Sequence, residues 1–475
     1  MKYQEFLDYI YQRHSGNVKL GLDRMLNILQ AMGNPNKELS GIHIAGTNGK
    51  GSTCAMCEAM SLEFGLETGM NTSPHLVDYR ERIRLNGKNI KLAELISLYK
   101  KWEDVLEENE ASFFEITTAI AFAAFQQNKI ENAIFEVGLG GRLDGTNPFA
   151  STVTTITSIS YDHTKSLGDT IEKIAFEKAG IIKENTPLVL GHLPKEAFAV
   201  IQEVSQEKHA PIIKFGEDFK ISKVIISEKG TSFDYISNDL KLTNISTNLL
   251  GKHQAYNAAV AVTAFVEFLK KTGRKIEIQK IKKALQNVNW QGRMQIISQK
   301  PTVIIDGAHN VEGIKALTNN LKEIFPNKRI LFVLAILRDK KLSEIIKDIC
   351  SVSYKVYVSK NKSTRAAEIE DQIEIVKKHH TNYETVLDVV EAVKKALTEA
   401  NEDDIVMISG SLYTISEVIK EKDKIWEYAE LGLIEYKSSK LLADELERHG
   451  FKLERGSNES YRESEDTEES RSYRL

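Results

Sequence analysis

The sequence predicts an α/β protein of two units: an N-terminal domain on a parallel-rich sheet and a smaller C-terminal α/β domain, with a site in the cleft between them. Three observations predict it. From about Gly41 to Leu190, short β-branched runs alternate with longer amphipathic stretches, the pattern of βα units around a parallel sheet. The same alternation restarts at Val303 and runs to Ile408. A glycine-rich turn, Gly46-Thr47-Asn48-Gly49-Lys50-Gly51-Ser52-Thr53, separates a strand from a helix in the first unit.

In chain order, the first strands are expected at Ile42-His43-Ile44, Ala133 to Val137 and Val153 to Ile156. Between Pro211 and Thr247 the pattern changes to strand-like segments, Phe219 to Ser227 and Ser232 to Ile236, joined through Lys229-Gly230 as a hairpin. A helix is expected from about Gln254 to Lys271. Apolar periodicity lapses near Trp290 to Pro301, which sets the boundary. The second unit has strands at Val303-Ile304-Ile305, Ile330 to Leu334, Val356-Tyr357-Val358 and Ile405 to Ile408. This gives domains at 1–292 and 293–420. One or two surface helices are expected within 421–453, and 454–475, with seven acidic residues, four arginines and five serines, reads as disordered.

The 475 residues suffice for two large domains or three smaller ones. Hydrophobic residues at 41% and charged residues at 27% match an ordinary globular chain and exclude disordered, fibrous and membrane classes. With 63 Lys and Arg against 67 Asp and Glu, the net charge of −4 supplies no basic field for nucleic acid or an anionic membrane. No apolar run reaches the ~18 residues needed to span a bilayer, and the first residues lack a signal peptide's apolar stretch, so the expected address is the cytoplasm. Cys54, Cys57 and Cys350 are too few for a disulfide framework. Cys54 and Cys57 read as a buried helix face, not a redox pair. A monomer is expected, since no long heptad run is present.

The glycine-rich turn sits where backbone N–H groups and a helix N-terminus cradle phosphates, with Lys50 placed to reach the outer ones. It departs from the general P-loop pattern: Ile44 occupies the first glycine position and Gly51 separates the lysine from Ser52. Glu136 closes a strand before Gly138-Leu139-Gly140-Gly141, and Asp162-His163 follows the next one. Strand C-termini converge on the ligand crevice of an open α/β sheet, so Glu136, His163 and the Gly46 turn can meet, and a hard cation there would neutralise phosphate charge. Asp306-Gly307-Ala308-His309-Asn310 offers polar groups at a strand end of the second unit, which suggests a site closed by domain motion.

Together with Lys19 to Arg24, Thr72-Ser73-Pro74-His75-Leu76, Glu81-Arg82-Ile83-Arg84, Glu136 to Asp144, Glu177-Lys178-Ala179-Gly180-Ile181, His253-Gln254 with Asn257, Gly292-Arg293 and Gly410-Ser411-Leu412-Tyr413, these motifs form an ordered set. Over roughly residues 1 to 420 the chain resembles the folylpolyglutamate synthase and dihydrofolate synthase family, within the Mur ligase superfamily of ATP-dependent amide ligases. The resemblance implies a Rossmann-like second domain and a reaction in which a carboxylate attacks the γ-phosphate of ATP. L-glutamate then displaces phosphate from the acyl phosphate. Its substrates would be dihydropteroate or a reduced folate, L-glutamate and ATP.

The same resemblance implies site roles. Asn48, Gly49, Lys50, Gly51 and Ser52 would hold the phosphates, and Ser73, Glu136 and His163 would ligate Mg²⁺, with two metal sites expected. Lys178 matches the lysine that the family carbamylates. Asn257, Arg293 and Asp306 would contact the nucleotide, and His309 and Ser411 would lie toward the incoming glutamate. Leu20, Gly21, Leu22, Phe114, Glu115, Ile116, Asp144, Gly145 and Thr146 would clasp the pterin. Two positions depart from the pattern: Gly145 replaces the usual alanine, and Gln291 the proline that commonly precedes Gly-Arg. A bifunctional enzyme is the leading reading. The alternatives are a folylpolyglutamate synthase alone, a Mur-type ligase of a peptidoglycan precursor, disfavoured because about 45 residues precede the Gly46 turn, and an ATP-driven binding module.

Overall fold

A computed structural model describes residues 3–13 and 21–421, together with the backbone of 453–454 and 473–474. Leu20, the expected helices in 421–453 and the tail expected to be disordered lie outside the described residues, except that Leu453–Glu454 and Tyr473–Arg474 pair as two short parallel strands, which that expectation did not include. The first unit is built on an eight-stranded sheet in the order Lys88–Asn89, Ile83–Leu85, Thr68–Asn71, Asn132–Glu136, Gly41–Ala45, Val153–Ile156, Leu188–Leu190, Ile212–Lys214. From Thr68–Asn71 to Ile212–Lys214 the pairing is parallel, and the two strands at the other edge are antiparallel. Strand Gly41–Ala45 is buried at every position, as β-branched residues packed on two faces require. Ile42 and Ile44 pack toward helices Lys50–Glu63 and Lys252–Lys271, while Ala133 and Phe135 of the neighbouring strand face helix Phe113–Gln127.

Strand Gly41–Ala45 lies between Asn132–Glu136 and Val153–Ile156, so the Gly46 turn emerges at the centre of the sheet's carboxyl edge. Helix Lys50–Glu63 starts directly after Gly49, whose φ of 87° a residue with a Cβ rarely adopts. Cys54 and Cys57 are free and buried on this helix, as the apolar reading expected. The separation of Lys50 from Ser52 has a packing reason. A Cβ at Gly51 would stand 2.7 Å from Cζ2 of Trp290, whose ring covers the first helical turn. Gly51→Ala is expected to destabilise the fold by about 1–3 kcal/mol through overpacking, read by thermal melting. An unchanged melting point would mean that Trp290 gives way freely.

The hairpin Phe219–Ser227 with Gly230–Ser237 forms as expected and gains a third antiparallel strand, Lys241–Thr247. The second unit is a six-stranded sheet in the order Gln295–Gln299, Thr302–Ile305, Ile405–Ser409, Ile330–Leu334, Lys355–Lys360, Tyr383–Asp388. The outermost two were not expected: edge strands are half-exposed, and their mixed residues mask the apolar pattern. Gln295–Gln299 falls within the stretch where periodicity lapses and pairs antiparallel with Thr302–Ile305. Helix Val311–Ile324 follows the Asp306 segment and is capped by Asn310, whose Oδ1 accepts the Gly313 N–H at 2.9 Å. No helix among the described residues is long and apolar enough to cross a membrane.

Candidate active site

Two cavities open between the domains. The first, about 380 Å³, runs along the Gly46 turn and is walled across the cleft by Arg293, Asp306 and His309. The second, about 540 Å³, lies beneath Phe114, Asp144 and Gly145 and reaches Ser411 and Lys340. Ser73, Pro74, Gly138, Leu139, His163, His309 and Leu412 belong to both walls, so the cavities meet at one point.

At the strand end, Glu136 is 5% exposed. Its Oε2 accepts the Ser73 N–H at 3.1 Å, and no salt bridge reaches it among the described residues. Burial raises its carboxyl above the ordinary value, with Lys50 pulling the other way. Lys50 Nζ donates to the carbonyls of Gly46 at 2.9 Å and Thr47 at 3.2 Å, curled onto its own loop. Lys178, on helix Ile171–Ala179, is also buried, and its Nζ donates to the Gly46 carbonyl at 3.1 Å. Burial, then the neighbouring Lys50 ammonium, lowers the Lys178 amine to about 7. His163 has φ 51° and is lowered to about 4 by burial, which keeps its imidazole neutral and free to ligate at neutral pH.

From the second domain, Asp306 Oδ1 accepts the Ala308 N–H at 2.7 Å and Oδ2 the Met294 N–H at 2.7 Å. Burial lowers His309 to about 4, and its Nδ1 donates to the Gly307 carbonyl at 2.8 Å, leaving Nε2 unprotonated. Arg293 stays on the cavity wall, with Nη1 on the Gly292 carbonyl at 3.0 Å. Asn257, also on this wall, donates to Gln254 Oε1 at 3.0 Å.

The first domain's motifs match the Mur ligase middle domain over residues 44–265, and the second matches the Mur ligase glutamate ligase domain over residues 292–412. The dihydrofolate synthase/folylpolyglutamate synthase of Bacillus subtilis is 35% identical over 428 residues, 88% of this chain and 98% of the relative. The chain belongs to the folylpolyglutamate synthase/dihydrofolate synthase family. Among solved members of that family, Escherichia coli FolC in complex with DHPP and ADP superposes with a TM-score of 0.81 at 31% identity, covering 89% of this chain and 97% of that one. The bifunctional Yersinia pestis synthase with AMPPNP and Mn ion gives 0.79 at 30% identity, covering 88% and 98%.

For a member of this family, the cavities gather most of the expected residues. Asn48 to Ser52, Ser73, Glu136, His163, Lys178, Asn257, Arg293, Asp306 and His309 line the first. Gly21, Phe114, Glu115, Asp144, Gly145 and Ser411 line the second. Three do not reach a wall. Ile116 is fully buried in the core, because two residues beyond Phe114 on a helix point to the opposite side. Thr146 is buried, its hydroxyl donating to Asp144 Oδ1 at 2.5 Å, so it shapes the turn from behind. Leu22 ends outside both cavities at the start of helix Asp23–Ala31.

Two expected pterin residues are held by local bonds. Glu115 caps its helix by accepting the Ser112 N–H at 2.9 Å and pairs with Arg24 Nη2 at 3.1 Å. Asp144 Oδ2 accepts the Leu139 N–H at 2.8 Å, fixing the glycine loop. Phe114 is flanked by glycines: a Cβ at Gly138 would approach its ring to 2.6 Å, and one at Gly145 to 3.3 Å. Sequence reading missed Phe215, Tyr256 and His192 beside the phosphate turn, and Lys340 opposite Asp162. No local motif marks them, since each acquires its place through tertiary contact.

Proposed function

We propose that the chain joins L-glutamate to a folate carboxylate through an acyl phosphate formed from ATP, and that it accepts both dihydropteroate and reduced folates. The observation that carries this reading is the junction of a phosphate-cradling cavity with a second, aromatic-walled one at Ser73, His163 and His309. The solved relatives bound to ADP, DHPP and AMPPNP with manganese support the ligand classes.

The residues present fit a divalent cation. Glu136 is a buried carboxylate without a salt-bridge partner, an arrangement that calls for a positive charge. Among the described residues, no three His, Cys, Asp or Glu side chains are arranged to hold a metal ion by themselves, and the donors near Glu136 are one carboxylate, one imidazole and one hydroxyl. That donor set suits Mg²⁺, which takes one or two carboxylates and completes its shell with phosphates and water. Ser73, Glu136 and His163 would hold it, and when bound it would supply charge neutralisation on the transferring phosphoryl group.

The protein's own contribution is positioning and exclusion of water. Backbone groups from Asn48 to Ser52 hold the phosphates at the helix N-terminus. Phe114 and the Asp144 turn fix the flat end of the folate, which brings its carboxylate to the junction. The unprotonated Nε2 of His309, on the wall shared by the two cavities, is placed to accept a hydrogen bond from the incoming glutamate ammonium and so orient it, and the ammonium must release its proton before the amine attacks. Lys178 as a neutral amine can take up CO₂ to form a carbamate. The chain acts as a monomer in the cytoplasm on this reading.

Phosphate release with Mg–ATP and L-glutamate, with dihydropteroate in one reaction and tetrahydrofolate in another, tests the proposal when products are weighed by mass spectrometry. Addition of glutamate in both is expected. Addition to tetrahydrofolate alone would restrict the enzyme to tail extension, and silence in both would refute the substrate class. Gly145→Ala places a Cβ 3.3 Å from the Phe114 ring. It is expected to raise KM for dihydropteroate by no more than about tenfold while kcat holds, since a single methyl in an apolar pocket is worth that order. A fall in kcat instead would place Gly145 at the reacting end.

A further inference from the structure

We infer that Asp162 and Lys340 are positioning residues that clasp the two domains and, in closing, set the geometry of His163 and of the phosphate turn. Asp162 belongs to the first domain, in the loop after strand Val153–Ile156. Lys340 belongs to the second, between strand Ile330–Leu334 and helix Leu342–Cys350. Lys340 Nζ donates to Asp162 Oδ1 at 2.6 Å, and the two side chains are only 6% and 10% exposed.

Buried ion pairs repay their desolvation only when further hydrogen bonds satisfy the remaining atoms. Here they do. The two amide hydrogens of Asn310 divide between Asp162 Oδ2 at 3.2 Å and Asn48 Oδ1 at 2.9 Å. The Asn48 amide returns a longer contact to Asn310 Oδ1 at 3.4 Å. Asp162 Oδ1 also accepts the N–H of the next residue, His163, at 2.9 Å. One carboxylate and one amide of two domains therefore hold the backbone of His163 in its left-handed conformation, φ 51°, and the side chain of Asn48.

Separation of the domains breaks the Lys340 and Asn310 bonds and returns both charges to water, so the Asp162 carboxylate that accepts the His163 N–H is braced from across the cleft only in the closed arrangement. Closure and assembly of the site are thus one event. His309 Nε2 stands 3.7 Å from Asp162 Oδ2, beyond hydrogen-bond reach, and is not part of the clasp.

The test uses the full chain carrying Asp162→Asn, Lys340→Met and both together. Small-angle X-ray scattering with Mg²⁺ and a non-hydrolysable ATP analogue reads closure without relying on the ligase reading. The wild type is expected to contract, and each single variant to keep the larger radius of gyration. In turnover, each single variant is expected to lose at least ~10-fold in kcat/KM for L-glutamate and to need ~10-fold more Mg²⁺ for half-maximal rate. The double variant should lose no more than the worse single, and Lys340→Arg should keep most activity. Contraction of the single variants like the wild type, or losses that multiply in the double, would overturn the inference. Lys340→Gln, with the same expected and overturning results, replaces Lys340→Met if that variant does not fold.

Discussion

Glu136→Ala is expected to lower ligation by about 10³-fold or more, because a preorganised charge at a reacting centre contributes that order of rate. The carboxylate is buried at the end of strand Asn132–Glu136, and no salt bridge to it is present among the described residues. Its only hydrogen bond there is from the Ser73 N–H. The fold should survive, since burial already disfavours the ionised form and the substitution removes that cost. Nucleotide binding without Mg²⁺ should also survive, because the Gly46 turn is untouched. The measurement is ATP-dependent turnover over a Mg²⁺ series, with binding of a fluorescent nucleotide in EDTA as the control. Normal turnover would remove Glu136 from the metal site, and loss of nucleotide binding in EDTA would make it a structural support of the turn.

The pieces of the site that lie at strand C-termini were legible from sequence. An open parallel sheet aims those ends at one crevice, so a glycine-rich turn, a terminal carboxylate and an Asp-His pair could be placed together without coordinates. That Glu136, His163 and Asp306, from two domains, line one cavity is a consequence of that rule. Helical positions were less legible. Phe114 and Ile116 both read as apolar residues beside a capping Glu115, yet only Phe114 reaches the cavity, because a two-residue step turns about 200° around the axis. Thr146 likewise follows a wall residue in sequence but spends its hydroxyl on Asp144.

What sequence could not show is burial created by distant segments. Asp162 and Lys340 are 178 positions apart, and neither sits in a motif that names the other. The third strand of the hairpin sheet, Lys241–Thr247, alternates polar and apolar residues too weakly to stand out, although Leu242 and Ile245 fill the core. Lys178 is the sharpest case. On helix Ile171–Ala179 it reads as a solvated lysine, and only the approach of the Gly46 carbonyl and of Lys50 makes its position unusual.

That position makes Lys178→Met informative in two directions at once. Ligation is expected to fall about 10³-fold or more, since the variant removes the group whose carbamate would stand near the reacting phosphates. Stability is expected to rise in metal-free, CO₂-depleted buffer, because a buried amine next to another ammonium opposes folding wherever it must be charged. The sign follows from proton counts. Unfolded, the amine keeps its proton up to about 10.5, while folded it releases it near 7. Between those values the unfolded chain binds more protons, so the wild type gains stability as pH rises across that window and carries its full penalty below about 7. The variant lacks this slope. Thermal melting of both proteins between pH 6 and 10 should therefore show the largest gap at the acid end, narrowing as pH rises. A variant less stable than the wild type at pH 6 would mean that the ammonium is a structural cation. Activity that survives in the variant would separate Lys178 from the chemistry altogether.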